Sequence, residues 1–139
     1  MRVLVLKVLD GDTFVVQYHN LPITIRLANI DVPELRTDFG KKVQRYLSDL
    51  ILSQEVEIQV FKKDTYGRYL AEVHFKNESL DEKLVSEGLA WHWEKYSLKP
   101  ELTNLERFAQ DQKMGIWSEE FKEVHYTLRH PQSKEHLDL

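Results

Sequence analysis

At 139 residues, with 42% hydrophobic and 30% charged side chains, the chain is long enough for one domain with its own core and short for two. It has no cysteine, which excludes disulfides and thiolate metal sites, and no apolar run of membrane-spanning length. A net charge of −4 argues against holding polyanions by long-range electrostatics alone, but not against acidic residues that hold a cation that in turn holds phosphate.

The elements follow in chain order. Val3 to Leu9 is rich in branched residues and ends at Asp10-Gly11, a tight-turn dipeptide. The run Val3-Leu4-Val5-Leu6, broken by Lys7, suits a first strand better than a secretory leader. A soluble protein is expected, with no membrane partner, and secreted only if a leader was removed upstream. Thr13 to Tyr18 reads as a second strand and Ile23 to Ile30 as a third. In the third, Ile23, Ile25 and Leu27 share one face while Thr24, Arg26 and Ala28 share the other. Val43, Tyr46, Leu47, Leu50 and Ile51 recur at helical spacing between Gly40 and Leu52.

A fourth strand follows, with Val56, Ile58 and Val60 alternating against Glu57 and Gln59. The fifth places Tyr69, Ala71, Val73 and Phe75 on one face. Ser79 with Glu82 forms a capping-box pattern opening a second helix that stops at Gly88. A third helix is expected from Pro100 to Lys113, burying Leu102, Leu105, Phe108 and Ala109. The expected class is α+β, mainly β. The order of elements is that of a five-stranded OB-fold barrel with three helices, and another small α+β fold fits the pattern as well. Residues 1–118 are expected to form the domain and 119–139 a polar tail, in which His125, His130 and His136 read as solvated.

Charged residues accumulate where strands end. Asp10-Gly11-Asp12 is either a solvated hairpin turn or a source of a carboxylate ligand for a hard cation, which takes oxygen donors. Asp31 stands at the end of the following strand, where a meander brings it to the same rim, and Val32 offers a backbone carbonyl. Arg26, in mid-strand, either faces solvent or grips phosphate oxygens in two parallel bonds. Arg68, beside Gly67 at a strand start, can supply a second fork. Glu34 is either plain surface or a carboxylate that takes a proton from a water.

Three segments carry a family resemblance: Val8-Leu9-Asp10-Gly11-Asp12-Thr13, the stretch from Ile25 to Glu34 reading IRLANIDVPE, and that from Asp64 to Ala71 reading DTYGRYLA. Softer matches follow at Leu84 to Ala90 and Gly115-Ile116-Trp117. In this order, over roughly residues 3–118, they resemble the staphylococcal nuclease family. The resemblance implies an OB-fold barrel and a calcium-dependent nuclease acting on DNA and RNA, leaving a 3′-phosphate and a 5′-hydroxyl. It implies Arg26, Glu34 and Arg68 as catalytic residues and Asp12, Asp31 and the carbonyl of Val32 as calcium ligands. It further implies Tyr66 and Tyr96 in the nucleotide pocket, Asp10 and Thr13 in support, and a monomer. The departures are Val32, where threonine is common, and Trp91 to Tyr96, where two tyrosines are usual and Glu94 brings charge. Trp91 and Trp93 are candidates for base stacking or for the core. The alternative expectation is a nuclease-like module that binds nucleic acid with weak or no catalysis. A barrel used only for protein interaction would leave the charged set as coincidence.

Overall fold

A computed structural model describes residues 1–93, 97–119 and 121. Five long strands close a barrel: β1 (Arg2–Asp10), β2 (Thr13–Tyr18), β3 (Leu21–Leu27), β5 (Glu55–Lys63) and β6 (Tyr69–Phe75). The antiparallel pairs β3-β2-β1-β5-β6 run in sequence around it, and a parallel pairing of β3 with β6 seals the ring. Two-residue strands supplement it. β4 (Ile30–Asp31) pairs with β8 (Trp91–His92), and β7 (Glu78–Ser79) extends β6. Helices α1 (Asp38–Ile51), α2 (Leu80–Ser86) and α3 (Pro100–Asp111) pack around the barrel, followed by a 3-10 turn at Gly115–Trp117. The fold is the expected five-stranded barrel with three helices.

Bulges do what an unbroken alternation cannot. Val3 and Val5 are buried, yet Lys7 is exposed and Val8 lies inside. A register shift between Val5 and Lys7 reverses the parity of β1 and keeps the lysine out of the core. A further shift, between Val60 and Lys62 in β5, leaves Phe61 exposed; Val60, opposite Ala71 and on the face of Ile58 as the alternation requires, is itself part-exposed.

The third strand also ends sooner than its sequence suggests. β3 stops at Leu27; Ala28 donates to the Ala71 carbonyl at 3.0 Å, and pairing resumes only at Ile30. Thr37 caps α1 by accepting from the Gly40 amide at 3.0 Å, so the helix begins two residues before Gly40. Val43, Leu47 and Ile51 form its buried face. In α3, Leu102 and Ala109 are buried as expected but Phe108 is exposed. Glu106 takes the inward place because its carboxylate accepts the His92 amide at 2.7 Å. The ring of His92 in turn contacts the hydroxyls of Ser97 and Thr103, a buried polar network tying β8 to α3.

Packing continues past Ser118. Phe121 is buried with Trp91 and Ile116, its ring 4.7 Å from Phe39 and 6.0 Å from Trp91. The tail histidines His125, His130 and His136 lie outside the described residues.

Behind β4 sits a buried pair. The Asn29 amide donates to Asp81 at 2.7 Å, while the second carboxylate oxygen of Asp81 has no partner among the described residues. Burial raises the Asp81 carboxyl to a pKa of about 6, against the Asn29 hydrogen bond that holds it down. The folded state thus keeps this proton more tightly than the unfolded chain, and stability falls as pH rises from about 4 to about 6. Asp81→Asn removes the buried charge and is expected to stabilise the protein at pH 7 by about 1–2 kcal/mol. Thermal denaturation across pH 4–7 should show that window flattened in the variant; an unaltered pH profile would show that Asp81 is not its source.

Candidate active site

Strand register assembles the site. Arg26 on β3 lies opposite Thr13 of β2 on one side and Leu70 of β6 on the other. The residue after Asp12, the arginine and the residue two past Arg68 therefore occupy one row across three strands. The Leu27 amide donates to the Asp12 carbonyl at 2.9 Å and fixes that row from below.

Arg26 is buried, at 5% exposure, which settles the choice between a solvent face and a partnered one. Its guanidinium donates to the carbonyls of Leu27 and Ile30 through one nitrogen. Through the other it meets Asp12 at 3.2 Å and Asp31 at 3.3 Å. One cation thus draws two carboxylates and a chain reversal to a single point. The bend between β3 and β4 forms because this fork satisfies its carbonyls. Trp93 stacks over the guanidinium with its ring centroid 4.6 Å away. The Trp93 amide donates to the Asn29 carbonyl at 2.8 Å, which holds the indole in place.

Supporting contacts fix each carboxylate. Asp10 accepts the Asp12 amide at 3.0 Å, and the Thr13 hydroxyl donates to Asp12 at 2.9 Å. Asp31 accepts the amide of buried Val32 at 3.1 Å. Burial pushes the Asp12 carboxyl well above the ordinary carboxylate range, against the pull of Arg26 and with a further push from Asp10 and Asp31. An added cation beside it would reverse that balance. Two carboxylates converging from adjacent strand ends are hard oxygen donors that suit such an ion, with the Val32 carbonyl in the same turn. No cluster of three or more His, Asp or Glu side chains able to hold a metal occurs among the described residues.

Glu34 lies in the next turn, where its carboxylate pairs with Arg36. Its carbonyl accepts from the Thr37 amide and hydroxyl, so the cap of α1 and this loop are one structure. Gly40 makes that possible: a Cβ there would overlap the Glu34 carbonyl. The site's second arginine is held by Asp64, which accepts from the Arg68 side chain at 2.8 Å and from the Arg68 and Tyr66 amides at 2.9 Å each. Burial works to raise the Asp64 pKa, but these hydrogen bonds from Arg68 and Tyr66 outweigh it, and the carboxyl lies below its ordinary value.

Arg26, Arg68, Tyr66 and Trp93 line one cavity of about 360 Å³, with Lys62 and Lys63 on its wall. Tyr66 is exposed there, its ring 5.5 Å from the Arg68 guanidinium. Of the sequence-expected residues, Asp10, Asp12, Thr13, Arg26, Asp31 and Val32 form one bonded cluster. Arg68 and Tyr66 join it across the cavity, and Tyr96 lies outside the described residues. The two tryptophans divide their tasks, Trp91 to the core and Trp93 to the site. Sequence reasoning missed Arg36, whose only signal was its position two residues beyond Glu34.

The fold is thus a closed OB-type barrel that draws two arginines and a pair of aspartates together at its strand ends. The profile of the family described as staphylococcal nuclease homologue matches residues 24–119. An uncharacterized endonuclease of Escherichia coli O157:H7 is 36% identical over 116 residues, covering 83% of this chain and 76% of its own. One from Haemophilus influenzae is 35% identical over 116 residues, covering 83% and 65%. The micrococcal nuclease of Shigella flexneri is 34% identical over 127 residues, covering 83% and 72%. The chain belongs to the staphylococcal nuclease family.

Removing the Arg26 guanidinium leaves two carboxylates facing each other and two carbonyls without their donor. Arg26→Met is expected to cost about 3–5 kcal/mol of stability. Arg68→Met, at a partly exposed pair, is expected to cost about 1 kcal/mol or less. Urea unfolding of both variants checks this, and equal small losses would contradict the structural role given to Arg26.

Proposed function

We propose that the protein is a nuclease, a hydrolase that cleaves phosphodiester bonds of DNA and RNA with calcium and leaves 3′-phosphate and 5′-hydroxyl ends. The observation that carries this reading is the cavity in which Arg26 and Arg68 meet beside the Asp12–Asp31 carboxylate pair. Family membership and the endonuclease and nuclease names of the relatives support it.

Asp12, Asp31 and the carbonyl of Val32 would hold the calcium ion. When bound, it supplies positive charge against the phosphate and toward the attacking water. The two guanidinium forks bind non-bridging phosphate oxygens and stabilise the charge that develops on them. Water attacks phosphorus in line, forming the new P–O bond as the bond to the 5′ oxygen breaks. Glu34, oriented by Arg36, takes the water's proton, and the departing oxygen takes up a proton to leave as a hydroxyl. Trp93 and Tyr66 offer aromatic faces to a base. The acting unit is residues 1–118 as a monomer, with 119–139 as a polar extension anchored at Phe121.

Plasmid DNA and RNA are expected to be cleaved with added calcium and spared with a chelator. Glu34→Gln or Arg68→Ala should lower turnover by roughly 10² or more. A wild-type rate indifferent to chelator defeats the metal assignment. Tight RNA binding without hydrolysis in every metal tested would favour a binding module instead.

A further inference from the structure

A second cavity, of about 400 Å³, adjoins the first. Ala28, Lys62 and Leu70 line both, so the two form one continuous groove. Its distinguishing feature is two exposed apolar side chains from different elements, Phe61 on β5 at 51% exposure and Leu98 ahead of α3 at 91%. The β5 bulge is what presents Phe61: without the register shift at Val60, the residue following it would not stand beside Lys62 on this rim.

The charges along the groove are unevenly compensated. Arg26 is matched by Asp12 and Asp31, Arg68 by Asp64, and Lys99 by Glu72, the one carboxylate among the described residues that line the second cavity. Lys62 and Lys63 have no carboxylate partner among the described residues. Uncompensated positive charge therefore falls at the junction of the two cavities. That is where a phosphate joining two nucleotides would lie.

We propose that the second cavity is a subsite for the neighbouring nucleotide of the substrate strand, its base against Phe61 and Leu98 and its linking phosphate at Lys62. This rests on the nucleic-acid reading of the first cavity. The occupant is an unpaired nucleotide, since a base stacked within a duplex has no free face to offer Phe61. Among the described residues, no side chain in this cavity is placed to read the edge of the base, and the contact is expected to tolerate any sequence. The polar groups available there are already engaged: the Asn29 amide by Asp81 and the Ser97 hydroxyl by His92.

The test is fluorescence anisotropy on the full chain, in chelator so that nothing is cleaved, with labelled 12-nucleotide oligothymidylate and a labelled thymidine mononucleotide carrying a 3′-phosphate. Phe61→Ser and Leu98→Ser are compared with wild type. Both positions are exposed, and an unchanged denaturation midpoint confirms the fold. Loss of one stacking platform is expected to weaken 12-mer binding about tenfold, with Phe61→Trp restoring it. The mononucleotide, which fills the first cavity and places its phosphate at Lys62, should lose less than twofold. Wild-type affinity for the 12-mer in Phe61→Ser overturns the subsite, as does an equal loss for both ligands. Cleavage in calcium is then measured separately. Binding that responds to Phe61 without any cleavage sinks the nuclease reading and leaves the subsite standing. Cleavage with Phe61→Ser bound as tightly as wild type does the reverse. A wild type that binds neither ligand refutes both.

Discussion

One buried guanidinium organises this molecule. Arg26 is the point at which β2, β3 and the β3–β4 bend are joined, because its two terminal nitrogens reach two carbonyls and two carboxylates at once. Burying a charge this completely is tolerable only when every donor finds an acceptor. Here two of the acceptors are carboxylates, hard oxygen donors that also suit a cation. Under the proposed function, stability and catalysis would draw on the same side chain, and the aspartates that neutralise it are those proposed to hold the calcium ion.

Much of the architecture was legible in the sequence because period-two and helical patterns are properties of the chain itself. The five long strands, the Ser79 cap of α2 and the buried face of α1 follow from residue order. What was not legible depends on closure. The inversion of parity after Val5 and the exposure of Phe61 arise from bulges, which a barrel needs in order to bend and which leave no compositional mark. Phe108 and Glu106 exchanged their expected places because a hydrogen bond to His92 outweighed the hydrophobic ranking of the two side chains.

The site was legible in the same uneven way. Local motifs named the charged residues, and the structure brings Asp12, Arg26 and Asp31 into direct contact. Periodicity left Arg26 between a solvated and a buried state, since only the partners of a charge decide its burial. The stacking of Trp93 on Arg26 joins residues 67 positions apart through the Asn29–Trp93 backbone bond, and no spacing rule points to it. Asp81 behind that bend is likewise visible only once α2 has docked against it.

The parallel pairing of β3 with β6 closes the barrel, and it is also what sets the two arginines side by side. It joins segments separated by the whole of α1 and β5, a far longer loop to close than any hairpin of the meander. A chain that has formed the β1–β2–β3 meander but not this last seam has Arg26 and no Arg68 beside it. Recovery of activity during refolding is therefore a marker of completed ring closure, and it should lag behind signals that report the early hairpins.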